Sequence, residues 1–416
     1  MSLKEIVATR GYLHQCTHTE ELFEILEKGE AVFYVGFDCT ANSLHVGNLL
    51  AIMLSRLLQQ YGNKPIILIG GGTSRIGDPS GKTKARELIS EDQIKDNTKG
   101  ILKSLAKFIK FGNQKNDALL VNNADWLDSL KHLEFLRDYG QHFSVNQILT
   151  LDFIKSRLKQ NQHLSLLEFG YVVLQSFDFL HLNRVHNCIL QIGGSDQWGN
   201  IVTGVELIHK VKQSKVYGLT IPLLTTANGL KMGKSESGAV WLNEISTSPY
   251  EYFQYWRNVN DKDVEKFAAL YCEFSSQEYE AFGHLCGTDI NRAKEELAFR
   301  LTLLCHGKES ADLARQSAKA AFESTSDLIG LPTITISSKN LDGGCLLSEI
   351  LFLGKIVSSK QEAKRLILGG GVKINDKTIT EVQKLIFASD LHKDHAFKIT
   401  IGKKKHFLLS EQKEAL

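Results

Sequence analysis

Three residues in the segment 167–179, LEFGYVVLQSFDF, carry the most specific chemistry: Tyr171, Gln175 and Asp178, spaced four and three apart. On a helix they fall within roughly 60° of one another. They make a polar stripe through an otherwise apolar run of Val172, Val173, Leu174 and Phe177. A carboxylate, an amide and a phenol on one sheltered face suit recognition of a small polar molecule by hydrogen bonds. Two further clusters point to a nucleotide. In Asp38-Cys39-Thr40-Ala41-Asn42-Ser43-Leu44-His45-Val46-Gly47-Asn48, an apolar strand pattern gives way to a helical one, with His45 expected in the first helical turn. A helix start offers free N–H groups and partial positive charge to phosphate. His45 and Asn48 add donors there, and Gly47 removes bulk where an adenine or ribose would lie. In Lys231-Met232-Gly233-Lys234-Ser235, two lysines flank a glycine, a cationic loop suited to charge building on a leaving pyrophosphate. Taken singly, the first cluster is equally a capping turn and the second an exposed basic turn.

The glycine-rich segment 69–83, IGGGTSRIGDPSGKT, fails both standard nucleotide motifs. A dinucleotide G-x-G-x-x-G starting at Gly70 would need glycine where Arg75 stands. A phosphate loop ending in Gly81-Lys82-Thr83 would need glycine where Ile76 stands. A Rossmann dehydrogenase and a standard phosphate-loop NTPase are both disfavoured. The seven cysteines are scattered with no C-x-x-C pair, and the 14 histidines show no H-E-x-x-H spacing, so no protein-ligated metal is expected.

These clusters need elements to position them. Residues 31–37 and 64–70 are predicted strands, and the stripe Leu49, Leu50, Met53, Leu54, Leu57 and Leu58 between them predicts a helix, capped by Asn42 or Ser43 and ended by Gly62. Strand, helix and strand make a βαβ unit and hence a parallel sheet. Further strands are expected at 188–193 and 218–224. The fold class is α/β: a doubly wound, Rossmann-like parallel sheet over 1–225, with a helical insertion at about 120–170. The lysine signature and an all-α region follow over 226–325. Residues 326–344, with Pro332 and several Ser and Thr, read as a linker before a small α+β module over 345–416.

In order and context, His45-Val46-Gly47-Asn48 and Lys231-Met232-Gly233-Lys234-Ser235 resemble the HIGH and KMSKS signatures of class I aminoacyl-tRNA synthetases. Asn48 replaces the final His and Gly233 the Ser. Tyr34-Val35-Gly36-Phe37-Asp38, Gly77-Asp78-Pro79-Ser80-Gly81-Lys82, the segment 167–179 and the segment 191–200 (QIGGSDQWGN) are similar to the tyrosyl-tRNA synthetases of that class. The resemblance spans nearly the whole chain. It implies ATP-dependent ligation of L-tyrosine to its tRNA through tyrosyl-adenylate. It implies that Tyr34 and Asp178 bind the phenolic hydroxyl, and that Asp78, Tyr171 and Gln175 hold the ammonium with Gln197 nearby. Gly36, Asp38, Thr40, His45, Gly47 and Asn48 would contact ATP, with Gly194 and Asp196 at its ribose. Lys82, Arg86, Lys231, Lys234 and Ser235 would gather on the pyrophosphate. ATP would enter with Mg²⁺ as substrate. Cys39 stands where many relatives have Pro, so a stiffer turn is lost. A homodimer is implied by the resemblance alone. A tryptophanyl synthetase, a synthetase-like RNA-binding factor without catalysis and a small-metabolite nucleotidyltransferase remain as alternatives.

Bulk composition is consistent with this reading: 43% hydrophobic and 23% charged residues are ordinary for globular proteins. No run approaches the roughly 20 apolar residues of a membrane helix. The N-terminus carries Glu5 and no apolar run, unlike a secretory signal, so a cytoplasmic protein with no membrane partner is expected. From Cys345 onward there are 13 Lys and Arg against 8 Asp and Glu, an excess of +5, whereas the remainder carries −3. Lys355, Lys360, Lys364 and Arg365 lie ahead of the turn Gly369-Gly370-Gly371. This tail resembles the small RNA-binding module named after a ribosomal small-subunit protein, which implies that these four residues contact tRNA.

Overall fold

The computed structural model of the chain describes residues 1–79, 89–225, 227, 232, 234–235, 238–323, 333–337, 341, 343–354, 356–391, 396–402 and 405–412. Two compact units are formed, Met1–Thr247 with Tyr255–Cys305, and Ser248–Gln254 with His306–Leu416. The all-α stretch read as one region is therefore shared between them.

The first unit is built on a six-stranded sheet. Its strands are β1 (Gln15–Cys16), β2 (Val32–Asp38), β3 (Lys64–Gly70), β4 (Leu119–Asn122), β5 (Leu190–Gly194) and β6 (Tyr217–Ile221), in the spatial order β1-β6-β5-β2-β3-β4. The five from β6 to β4 run parallel, and only the two-residue β1 is antiparallel; apart from this sheet, β7 (Lys234–Ser235) and β8 (Gly238–Ala239) form an antiparallel pair. Two neighbours on both faces explain why β2, β3 and β6 are runs of apolar residues without alternation. The helix after β2 spans Leu49–Gln60, and its predicted stripe is buried. Its start differs from expectation. His45, not Asn42 or Ser43, is the cap, and one 3₁₀ turn, Val46–Asn48, precedes the α-helix. The long helix Leu166–His186 is capped by a reciprocal Ser165–Glu168 box and closed by Asn187 in the left-handed conformation. It packs on the helix Trp198–Lys212, where Gly204 lets the two approach: a Cβ there would lie 3.3 Å from the Phe179 ring and 3.5 Å from Ser176 Cα.

Chain order along the parallel strands reverses between β2 and β5. Loops at the carboxyl ends of these two strands diverge and leave a crevice. The polar stripe of the long helix faces that crevice. One strand was missed at the start of the stretch read as a helical insertion: β4 pairs with Ile66–Ile69 of β3 as the far edge of the sheet. Four residues with an Asn at the end are too short for periodicity to reveal.

In the second unit a five-stranded sheet has the order β12-β11-β14-β15-β9: β9 Thr333–Ser337, β11 Val372–Ile374, β12 Lys377–Ile379, β14 Ala396–Ile401 and β15 Lys405–Gln412. A two-stranded ladder joins β10 (Cys345–Leu346) to β13 (Leu385–Ile386). Helices Leu347–Leu353 and Lys360–Leu368 cover the core, in which Ile334, Ile350, Ile367, Phe397 and Leu409 meet. The reading of 326–344 as a linker is corrected here. Thr333-Ile334-Thr335-Ile336-Ser337 alternates with period two and pairs in parallel with Leu408–Gln412, burying Ile334 and Ile336. Its Ser and Thr are the solvent-facing half of an edge strand. A chain ended at Ser337 would keep this strand without its partner, an exposed template for aggregation. A chain ended at Glu323 removes it. On size exclusion at matched concentration, the shorter chain should elute as a discrete species and the longer should form soluble aggregates. Identical profiles would mean that β9 does not depend on β15.

Candidate active site

At the reversal point lies a cavity of about 840 Å³, lined from β2 by Tyr34, Gly36 and Asp38, from β5 by Gln191, Gly193 and Gly194, and from the long helix by Tyr171, Gln175 and Asp178. Thr40, His45, Gly47, Asn48, Asp78, Asp196 and Gln197 also face it. Fourteen residues named from the sequence thus share one space. Lys82, Arg86 and Lys231 lie outside the described residues. Lys234 and Ser235 form a short strand paired with Gly238–Ala239.

Asp178 is 2% exposed, yet its carboxylate is not bare. Asn123 Nδ2 donates to Oδ2 at 2.9 Å and Trp126 Nε1 to Oδ1 at 2.8 Å. Burial pushes its carboxyl up to about 7 against these two donors, and the Asp38 carboxylate adds to the rise. Tyr34 is 1% exposed beside it, and its hydroxyl has no hydrogen-bond partner among the described residues. Burial, then the charges of Asp178 and Cys188, keep that phenol protonated and hence a donor. This end of the cavity therefore presents one acceptor and one donor to a ligand group that must itself both donate and accept.

A second polar group lies nearer the mouth. Gln197 Nε2 donates to Asp78 Oδ2 at 2.8 Å, and Asn200 Nδ2 bridges Gln175 Oε1 at 2.8 Å and Gln197 Oε1 at 3.2 Å. Tyr171 donates its hydroxyl to Asp38 Oδ2 at 3.2 Å, while Thr73 donates to Asp38 Oδ1 at 3.1 Å. Carboxylates and amide oxygens converging in this way suit a cation such as an ammonium.

The signature segments meet through backbone. Gly47 N–H donates to His45 Nδ1 at 2.9 Å, which leaves the ring proton on Nε2, and His45 N–H donates to Asn48 Oδ1 at 3.1 Å. A Cβ on Gly47 would come within 2.9 Å of the Met232 carbonyl oxygen, so only glycine lets the second signature approach. Val46 N–H to Val240 O (2.9 Å) and Leu242 N–H to Leu44 O (2.8 Å) extend the join, and Trp241 sets its ring edge to face with His45 at 5.9 Å. The turn before them is clasped by the helix Glu91–Leu105. Asn97 Nδ2 donates to Cys39 O at 2.8 Å, Ser104 Oγ accepts from Leu44 N–H at 3.2 Å, and Gly100 leaves no room for a side chain against Asn42. Ser74 Oγ accepts from Cys39 N–H at 2.7 Å. The stiffness a proline would supply at 39 comes here from hydrogen bonds.

Sequence reasoning missed Thr73, Asn123, Trp126, Gln191, Asn200 and Trp241. Asn122-Asn123-Ala124-Asp125-Trp126 at the end of a strand was a usable signal, and so was Gln191 in an apolar strand opposite Tyr34. Trp241 gave none, because its place depends on a long-range pairing with His45. In the second unit Lys364 and Arg365 are exposed on their helix, and Lys360 is exposed but paired with Glu349 at 2.5 Å. Lys355 lies outside the described residues. No described helix is long and apolar enough to cross a membrane.

The comparisons with known proteins agree with this geometry. A family model for class I tRNA synthetases (W and Y) matches residues 26–323, and one for the tyrosine–tRNA ligase SYY-like C-terminal domain matches 325–409. The tyrosine–tRNA ligase of Rickettsia bellii (strain RML369-C) is 49% identical over 98% of this chain and 100% of its own length. The crystal structure of a C-terminally truncated mitochondrial tyrosyl-tRNA synthetase of Aspergillus nidulans superposes with a TM-score of 0.70 at 29% identity, covering 77% of this chain and 94% of that one. A tryptophanyl-tRNA synthetase of Plasmodium falciparum shares the fold, with a TM-score of 0.53 at 13% identity over 75% of this chain and 84% of its own. The chain belongs to the class I aminoacyl-tRNA synthetases of the tryptophan and tyrosine group, and within that group to the tyrosyl-tRNA synthetases of bacterial type.

The Asp178 shift has a measurable consequence in the ligand-free protein. An unfolded aspartate titrates near pH 3.9. Between about pH 4 and 7 the folded chain holds a proton that the unfolded chain has released. This group's contribution is therefore complete below about pH 4 and is lost as pH rises through 7. Asp178→Asn cannot ionise. The stability of the natural chain relative to this variant should fall by about 2–4 kcal/mol between pH 4 and 8 in urea melts. A constant difference would show that the carboxyl is not held up.

Proposed function

We propose that the cavity binds L-tyrosine at its buried end and ATP toward the first signature, and that these two sites carry the ligation of tyrosine to its cognate tRNA. The observation that carries this reading is the union of the Tyr171–Gln175–Asp178 stripe and His45–Asn48 in one cavity at the sheet's reversal point. Asp178 accepts the phenolic O–H and Tyr34 donates to the phenolic oxygen. Asp78, Tyr171 and Gln175, with Gln197, hold the ammonium. Gly36, Asp38, Thr40, His45, Gly47 and Asn48 take the nucleotide, with Gly194 and Asp196 at the ribose. Lys82, Arg86, Lys231, Lys234 and Ser235 gather on the pyrophosphate, and Mg²⁺ arrives as part of the substrate Mg-ATP.

The chemistry needs no general base. The tyrosine carboxylate is already a nucleophile and attacks the α-phosphorus in line, giving tyrosyl-adenylate and pyrophosphate. A terminal ribose hydroxyl of the tRNA then attacks the mixed anhydride and releases AMP. The protein's part is to align the reacting groups and to oppose charge as it moves onto the leaving pyrophosphate. Lys360, Lys364, Arg365 and Lys355 in the second unit meet tRNA phosphates. Leu133, Leu136, Val145, Leu158 and Leu166, exposed on the helices between 132 and 167, support a homodimer, because a monomer would leave that surface to water.

ATP–pyrophosphate exchange run across the amino acids tests the pocket. Tyrosine should support exchange, with phenylalanine and tryptophan near background. Asp178→Ala should lower kcat/KM for tyrosine by about 1–3 kcal/mol or more, the loss expected for the partner of a buried hydroxyl. Unchanged activity on tyrosine would sink the assignment. The division of labour is tested on a chain ended at Glu323. It should form tyrosyl-adenylate at near-normal rates and charge tRNA very poorly, and tRNA binding by the full chain should weaken steeply with salt. Loss of exchange on truncation, or intact charging, would overturn it.

A further inference from the structure

Asp178 reads a hydroxyl only if its carboxylate plane is held still, and the hold passes through a residue the catalytic reading does not use. Trp126 donates its indole N–H to Asp178 Oδ1 at 2.8 Å. Its ring lies flat against the imidazole of His181, with centroids 4.2 Å apart and planes 15° from parallel. His181 is three residues after Asp178 on the long helix, so both side chains leave the same face. The indole is thus gripped at its edge by the carboxylate and on its face by the imidazole. Burial first, then the charges of His186 and Arg184, hold His181 below its ordinary pKa, so the stack is one of neutral rings. The other carboxylate oxygen has a more rigid partner. Asn123 receives Gly72 N–H on its Oδ1 at 2.8 Å and sends its own N–H to Ile69 O at 3.0 Å. Trp126 sits in the one-turn helix Ala124–Leu127 and takes its side-chain orientation from its packing.

We infer that His181 is a positioning residue for amino-acid specificity: by stacking on Trp126 it aims the indole N–H that orients the Asp178 carboxylate toward the substrate hydroxyl. This rests on the reading of Asp178 as the acceptor for the phenol. His181 does not touch the substrate. Its removal should therefore impair tyrosine recognition without touching the phosphoryl-transfer step. An aromatic of similar size should substitute for it, because the stack and not the imidazole nitrogen supplies the constraint. Phenylalanine as substrate makes no hydrogen bond to Asp178 and should be indifferent to the change.

The test uses the full chain in pyrophosphate exchange, with kcat and KM measured for tyrosine and phenylalanine. His181→Ala should raise KM for tyrosine by about three- to tenfold, the range one aromatic stack is worth. The kcat should stay near normal, and the tyrosine-to-phenylalanine ratio of kcat/KM should fall by the same factor. His181→Phe should restore both. Should His181→Ala fail to fold, Trp126→Phe keeps a ring on the histidine while deleting the N–H, and it should reproduce the lost discrimination. The inference fails if the ratio is unmoved in His181→Ala, or in Trp126→Phe, while Asp178→Ala still abolishes discrimination. It also fails if His181→Phe is as impaired as His181→Ala. If Asp178→Ala itself leaves the ratio unchanged, the underlying pocket assignment is what falls.

Discussion

A carboxylate buried in an apolar interior is the constraint around which the first unit is arranged. Asp178 sits among Tyr34, Phe177 and Phe179, where an unpaired charge would be prohibitively unstable. It persists because two neutral donors, Asn123 and Trp126, arrive from the end of β4 on the far side of the sheet. That arrival depends on parallel strands ending in line: Asn123 is anchored by its N–H to Ile69 at the end of β3, and Gly72 follows from the same strand end to hold its amide. The sheet edge, the long helix and the loop after β3 are thus coupled through one side chain. Burial raises the carboxyl and the two donors oppose that rise, so that it rests at about 7.

The side of the cavity formed by the two signatures obeys a different constraint, close approach of backbone to backbone. Gly47 against the Met232 carbonyl and Gly100 against Asn42 are positions where even one methyl group would force a strand or helix away. The first of these contacts, with the backbone bonds of Val46 to Val240 and Leu242 to Leu44, joins a segment near residue 45 to one near residue 240, about 200 positions apart in sequence. The helix Glu91–Leu105 then clamps the turn from outside through Asn97 and Ser104. Rigidity there is collective. A chain with cysteine at 39 uses an amide, a hydroxyl and a glycine to do what one fixed φ would do locally.

Much of this was legible because it is encoded locally. The helix Leu49–Gln60 announces itself by its stripe, β2 and β3 by apolar runs, and the pocket stripe by a polar series at helical spacing. What escaped notice depends on pairing at a distance. Thr333–Ser337 alternates like a strand, but its serine and threonine content reads equally as linker until β15 is seen beside it. His45 takes the cap because its ring can accept from Gly47, whereas Asn42 is held elsewhere by Gly100 and Asn243. Asn200 acts on other side chains and not on any motif, so spacing alone could not select it, whereas the polar run from Asn122 to Trp126 marks Asn123 and Trp126 without giving their partner.

The fold by itself does not choose the amino acid, since a tryptophanyl synthetase shares it at 13% identity. On the proposed pocket assignment, the choice lies in donors and acceptors at the buried end. Asp178 as an acceptor would be satisfied by a phenol O–H or by an indole N–H alike. The Tyr34 hydroxyl is different. Protonated and buried, it has a hydrogen to place and no acceptor for it among the described residues. A phenolic oxygen has lone pairs in the ring plane to receive that hydrogen; an indole N–H has none, and a phenyl ring offers neither donor nor acceptor. On the proposed assignment, Asp178 and Tyr34 therefore both separate tyrosine from phenylalanine. Tyr34 separates tyrosine from tryptophan, because a substrate that fails it leaves a buried donor unpaired. The Tyr34 donor is left unpaired by either competitor and Asp178 adds a second penalty against phenylalanine, and the fold brings the two residues together at the crossing of β2 and the long helix.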